Sequence, residues 1–268
     1  MLAVPEADDD LTLALELADL ADEITMARFG AEDLLVETKP DLTPVSEADR
    51  AVEQTLRARL AELAPGDAIV GEEYGVDAVP GAHRRWVLDP IDGTKSYVRG
   101  VPVWATLLAL EEDGVLSTGV VSAPALSRRW WATRGAGAFV REAGAPPRPL
   151  RVSAIRSLSD AQLCFGGFEE WLETGRLQAL TDLGRRCWRT RGYGDFWQYM
   201  LVAEGAAEIA IDPAASFWDL AAPLVVVAEA GGRFTDLGGV VTAEGGDGLA
   251  TNGPLHETVL DAVGRPSS

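Results

Sequence analysis

Trp86-Val87-Leu88-Asp89-Pro90-Ile91-Asp92-Gly93-Thr94 reads as an apolar strand that carries an aspartate to its C-terminal end and then breaks. Pro90 has no N–H to give to a neighbouring strand, so regular pairing should stop just after Asp89. Asp92 follows three residues on, and Gly93 opens a backbone angle closed to other residues. Asp89, Asp92 and the Ile91 carbonyl can then converge on one point. That is an all-oxygen donor set, suited to Mg²⁺ rather than to zinc.

Outward from this stretch, two further acids sit where ordered segments end or begin. Ala68-Ile69-Val70-Gly71 runs into Glu72-Glu73, and Trp218-Asp219 opens a helix far downstream. Each alone reads as a turn or a helix start. Together they read as one cluster.

The flanking pattern predicts an amphipathic helix from Leu11 to Phe29, closed by Gly30. A second helix follows Ser46, with Ala48, Val52, Leu56, Leu60 and Leu63 on its apolar face and Pro65-Gly66 as its stop. Val103 to Leu110 and Val115 to Val121 form a hairpin around Glu111-Glu112-Asp113-Gly114, and Arg129 to Thr133 and Ala138 to Val140 continue the meander. The Gly- and Pro-rich stretch from Ala143 to Arg148 reads as a seam. Beyond it, strands at Gln162–Phe165, Cys187–Thr190 and Ala207–Ile211 alternate with helices at Glu170–Leu183, Phe196–Glu204 and Trp218–Ala230, and strands at Arg233–Thr235 and Leu249–Thr251 come last. The expectation is an α+β chain of layered sheets and helices. It forms a single domain over 1–268, with halves at about 1–145 and 146–268.

The 268 residues carry a net charge of −19, with 47% hydrophobic and 24% charged residues. So acidic a surface argues against nucleic acid and anionic membrane as partners. It also demands a local reversal of field wherever a phosphate is bound, which a metal cluster would supply. Two cysteines, Cys164 and Cys187, make no disulfide framework, and no export signal or membrane span is read, so the expected compartment is the cytoplasm. Only Glu6 to Asp10 and the Ser-Ser tail read as disordered.

Gly71-Glu-Glu, Asp89-Pro-Ile-Asp-Gly-Thr94 and Trp218-Asp-Leu-Ala-Ala222 resemble, in order and spacing, the motifs of the inositol monophosphatase family. The likeness runs from Asp41 to Asn252. It implies the layered α-β-α-β-α fold with mixed and antiparallel sheets, and a Mg²⁺-dependent phosphomonoesterase with two or three ions. It places Glu72, Asp89 and the Ile91 carbonyl on one ion, and Asp89, Asp92 and Asp219 on a second. A third, weaker ion leans on Glu72 and water. Thr94 and Asp49 match the pair that orients or deprotonates the attacking water, although Asp49 also has capping-box spacing from Ser46. Gly93, Thr94 and Lys95 are candidate phosphate contacts. The resemblance also implies a homodimer.

Within that family, Lys95-Ser96-Tyr97 and Arg191-Gly-Tyr-Gly194-Asp195-Phe-Trp197 look like the histidinol-phosphatase branch, because inositol-type members carry Asn-Phe where Ser96-Tyr97 stands. Histidinol phosphate bears an ammonium and an imidazole, so Asp195 and Asp212 are candidate partners for its cationic part, with Arg191 a contact to phosphate or to Asp212. Each has a plainer reading: Asp195 as a helix cap, Asp212 as a strand-ending turn. Inositol 1-phosphate or a related sugar phosphate is the alternative substrate, and a non-catalytic metabolite- or metal-binding regulator the distant one. Two histidines, His83 and His256, are too few for a histidine-rich metallophosphatase. Neither cysteine has an arginine at the spacing of a thiol phosphatase. No nucleotide-binding glycine loop is present.

Overall fold

Alternation of side chains across strands decides the layering. The computed structural model describes residues 9–40 and 42–263. It begins with α1 (Asp9–Arg28), a short pair β1 (Val36–Thr38) and β2 (Pro44–Ser46), and α2 (Glu47–Leu63). Then come β3 (Ala68–Gly71), β4 (Gly75–Asp77), β5 (Arg84–Asp92), the four-residue α3 (Thr94–Tyr97), β6 (Ala105–Glu112), β7 (Val115–Ala123), β8 (Arg128–Thr133), β9 (Gly137–Glu142) and β10 (Arg148–Pro149). β3 to β10 form an eight-stranded sheet in the order β10-β9-β8-β7-β6-β5-β3-β4. Only β3 and β5 run parallel in it.

Trp86, Leu88, Leu108, Leu110 and Val120 face one side of that sheet and pack with Leu17, Val52 and Leu56 of α1 and α2. Val87, Leu107, Ala109 and Val121, one residue out of step, face the other side. That two-residue period is what lets one sheet serve two cores.

The chain continues with β11 (Gln162–Phe165), α4 (Phe168–Glu173), α5 (Leu177–Arg186), β12 (Arg189–Gly192), α6 (Asp195–Ala203), β13 (Ile209–Asp212), α7 (Phe217–Glu229), β14 (Arg233–Thr235), β15 (Gly248–Thr251) and α8 (His256–Val263). The strands form a mixed five-stranded sheet, β12-β11-β13-β15-β14. α6 and α7 lie between the two sheets, where Phe196, Met200, Ala222 and Val226 meet Val121 from one side and Ala210 and Ala250 from the other. Trp171, Leu180, Leu183 and Val259 of α4, α5 and α8 cover the outer face. The result is the layered α-β-α-β-α arrangement, α+β in class.

Several expectations shift. The helix read over Glu170–Leu183 is two helices, broken where Gly175 takes a φ of +69°. The strand read at Cys187–Thr190 is β12, at Arg189–Gly192. Leu63, assigned to the apolar face of α2, is 46% exposed as the last residue of its helix. Asp9 and Asp10, read as disordered, open α1, where acids suit the positive end of the helix dipole. Glu6 to Asp8, Asp41 and the Ser-Ser tail lie outside the described residues.

Candidate active site

Two residues three apart on a regular strand point to opposite faces, so Asp89 and Asp92 need a device to meet. The device is a register shift. Asp89 pairs with Leu107 and Asp92 with Ala105, so one extra residue is inserted at Pro90-Ile91. A bulge of this kind re-aims the side chain that follows it. The Pro90 carbonyl accepts from Thr106 Oγ1 at 2.8 Å, and Asp89 Oδ1 accepts the Ile91 N–H at 3.0 Å. Pro90 thus marks the bulge, and β5 resumes through Asp92.

Asp219 arrives from α7. Its Oδ2 accepts the Ser216 N–H at 2.8 Å in a capping box, so the same carboxylate starts the helix and stands at its tip. Asp92 Oδ2 accepts the Phe196 N–H of α6 at 2.6 Å. One oxygen each from Asp89, Asp92 and Asp219 lie within 4.8 Å of one another. These donors fit a hard divalent cation.

Their electrostatics fit one too. Asp89 is 1% exposed and Asp92 9%. Burial first, then repulsion from Glu72, Asp92 and Asp219, pushes the Asp89 carboxyl well above its usual range. Burial, then Asp195 and Asp219, does the same to Asp92, and burial takes Asp219 to about 7. Clustered buried carboxylates repel unless a cation joins them.

Glu72 follows β3, whose parallel register sets Gly71 beside Leu88, and its N–H reaches the Leu88 carbonyl at 3.2 Å. Its Oε1 lies 2.7 Å from Lys39 Nζ, which also meets Glu73 Oε1 at 2.6 Å. Burial works against the Lys39 charge, but hydrogen bonds to both glutamates outweigh it and raise the pKa. Nothing in the sequence around Lys39 marked it as a partner of acids 33 and 34 residues away.

Asp49 is fully buried and does two things at once. Its Oδ2 accepts the Ser46 N–H at 2.8 Å and the Ser46 hydroxyl at 2.5 Å, which caps α2. Its Oδ1 lies 3.1 Å from Thr94 Oγ1, which also stands 2.9 Å from the Ile91 carbonyl oxygen. Gly93 takes a φ of +83°, which side chains rarely adopt, and a Cβ would stand tightly at 3.0 Å from the Val103 carbonyl oxygen and 3.3 Å from Asp195 Oδ2.

Beside the acids opens a cavity of about 630 Å³. Asp92, Asp219, Lys95, Asp195 and Asp212 line it. Glu169, Glu170 and Glu173 of α4 line it as well, with Tyr193 and Tyr199. Lys95 is the sole base among these lining residues. Asp212 is 8% exposed, and its Oδ2 accepts from Gln198 Nε2 and Tyr199 Oη, each at 2.6 Å. Burial raises it to about 7. Asp195 is the first residue of α6 and leaves the cap position to Gly194. Arg191 donates to the Thr190 carbonyl at 2.7 Å and is not among the lining residues, so Gln198 and Tyr199 hold Asp212 in its place. The α4 glutamates escaped sequence reading because three acids on a short helix look like a solvated face.

The inositol monophosphatase family model matches residues 6–265. The chain is 56% identical over 252 residues to the histidinol-phosphatase of Mycobacterium tuberculosis, covering 94% of this chain and 96% of that protein. It is 52% identical to the histidinol-phosphatase of Streptomyces coelicolor, covering 96% and 97%. The solved inositol monophosphatase of Zymomonas mobilis superposes with a TM-score of 0.84 at 30% identity, covering 97% of this chain and 99% of that one. In sequence and in fold, the chain belongs to the inositol monophosphatase family.

Proposed function

We propose that this metal-dependent phosphoric monoester hydrolase acts on L-histidinol phosphate, with Mg²⁺ as its metal at two or three ions per site. The carrying observation is the wall of the cavity beside the acid cluster. Carboxylates of Asp195, Asp212 and Glu170 surround it, against the single base Lys95. Such a wall disfavours a neutral polyol relative to an ester whose organic part carries an ammonium and an imidazole. The histidinol-phosphatase names of the two relatives above agree with it.

In this reading Glu72, Asp89 and the Ile91 carbonyl hold one ion, and Asp89, Asp92 and Asp219 another. Bound there, Mg²⁺ supplies charge to the phosphoryl oxygens and makes water more acidic. The chain's own part is to aim the water and take its proton. Thr94 Oγ1 and Asp49 stand in hydrogen-bond contact for that purpose. As the water oxygen bonds to phosphorus, the ester P–O bond breaks on the opposite side, and the leaving alkoxide takes up a proton from solvent. Gly93, Thr94 and Lys95 are assigned to the phosphate. Asp195 and Asp212 are assigned to the organic part, and Arg191 to a contact made only with substrate bound. The reading includes a single domain and a cytoplasmic homodimer; two free cysteines, Cys164 and Cys187, suit a reducing compartment. Among the described residues no helix is long and apolar enough to cross a membrane.

Phosphate release from L-histidinol phosphate and myo-inositol 1-phosphate, compared at saturating Mg²⁺, tests the substrate. The expected kcat/KM ratio is tenfold or more in favour of histidinol phosphate. An inverted ratio would return the chain to the inositol or sugar-phosphate alternative, and no turnover on either would revive the idle regulator.

A further inference from the structure

Glu72 is the first residue of the three-residue loop between β3 and β4, whose end residues Gly71 and Gly75 are paired. A ligand on so short a loop is placed only as well as the loop's backbone is held. Its own N–H is taken by Leu88. The next two N–H groups, of Glu73 and Tyr74, both go to one side chain: Glu53 of α2 accepts them at 2.7 Å on Oε2 and 3.2 Å on Oε1. Glu53 is 0% exposed. Its charge is met by Arg57, one turn along, at 2.7 Å. Arg57 in turn donates to the Gly75 carbonyl at 2.6 Å and to Asp77 Oδ2 at 2.7 Å, so the pair brackets the loop from both ends.

The glycine of the Gly71-Glu-Glu motif is explained by the same contact. A Cβ on Gly71 would collide with Glu53 Oε1 and stand 2.9 Å from Arg57 Nη2. Gly71 is therefore the empty space into which the buried carboxylate reaches.

We propose that Glu53, neutralised by Arg57, is a positioning residue that fixes Glu72 for its metal. This rests on the assignment of Glu72 as a ligand made above. A buried ion pair is a poor stabiliser compared with apolar packing, so bracing the loop is the clearer consequence of this one. Partners that orient a metal ligand commonly change affinity by 10- to 100-fold when removed. Glu53→Gln is the informative change. The amide keeps the shape, but its NH₂ then faces either the Glu73 N–H or both the Tyr74 N–H and the Arg57 guanidinium, donor against donor.

The experiment is calorimetric titration of Mg²⁺ into the metal-stripped full-length protein, paired with hydrogen exchange at the Glu73 and Tyr74 amides. Val52→Ala, which trims a buried side chain next to Glu53 on the same helix, serves as the control for mere destabilisation. The expected result is Mg²⁺ binding at least tenfold weaker and faster exchange at both amides in Glu53→Gln. Val52→Ala should lower Tm without changing Mg²⁺ affinity. If Glu53→Gln fails to fold, Gly71→Ala displaces the same carboxylate and should show the same loss. Wild-type Mg²⁺ affinity in whichever of the two folds, or an equal loss in Val52→Ala, overturns the positioning role while leaving the proposed function intact. A wild type that binds no Mg²⁺ overturns both.

Discussion

Asp92 is held in a state that costs the protein. It is buried among Asp89, Asp195 and Asp219, and the resulting push on its pKa means that a neutral side chain would suit the metal-free fold better. Asp92→Asn keeps the shape and the acceptor for the Phe196 N–H while removing the charge. Turnover of the phosphate ester should fall by about 10²–10³-fold or more, the scale for loss of one preorganised electrostatic contact. Thermal melts in EDTA should show the variant as stable as the wild type or more so, a trade of function against stability. Paired release assays and melts check both halves, and a variant that loses stability in EDTA would show that the cluster is not strained. Asp89, Asp92 and Asp219 were legible in the sequence because each stands where an ordered run ends or begins, beside Pro, Gly or Trp. Lys39 and Gln198 were not, since a lysine in a loop and a glutamine inside a helix carry no local mark of the acids they meet across the fold.

At the level of elements, the site is only as good as the seating of α7 on the larger sheet. Gly119 of β7 lets the helix approach: a Cβ there would stand 2.7 Å from the Ala222 carbonyl oxygen and 3.1 Å from Val225 Cβ. Backbone cannot swing aside as a side chain can. Gly119→Ala should therefore cost about 2 kcal/mol, as overpacking does. It should also weaken Mg²⁺ activation, because Asp219 rides on the first turn of α7. Urea denaturation with a Mg²⁺ titration of turnover measures both, and unchanged Mg²⁺ activation would detach Asp219 from the helix's position. Most elements were readable from period and punctuation. The α4–α5 break was missed because Thr174-Gly175 sits inside an otherwise helical pattern, where a lone glycine is usually tolerated. α8 went unread because eight residues after a turn carry too short a period to stand out.

For the whole molecule, pH acts on the fold at His256 as well as at the clustered acids. His256 is 0% exposed, its ring nitrogens 3.0 Å from the hydroxyls of Thr235 and Thr251. Burial lowers its pKa to about 4. A lowered histidine favours the fold fully above its unfolded pKa near 6.5, and that contribution is lost as pH falls toward 4. The loss should reach roughly 3 kcal/mol, set against the opposite gain as the raised Asp212 and Asp219 carboxyls take up protons over the same range, so it is read as the difference between wild type and His256→Gln in the slope of urea-derived stability between pH 6.5 and 4. A wild-type slope retained in the variant would place the titration elsewhere. Much of a net charge of −19 is spread over the surface, but the portion at Asp89, Asp92 and Asp219 is folded inward. Anomalous diffraction from crystals soaked in Mn²⁺ and phosphate tests it most directly. The account predicts a peak within coordination distance of Asp89, Asp92 and Asp219 and a second shared by Asp89 and Glu72, with phosphate touching both. Manganese bound only elsewhere on the surface, with these four carboxylates free of metal, would contradict it.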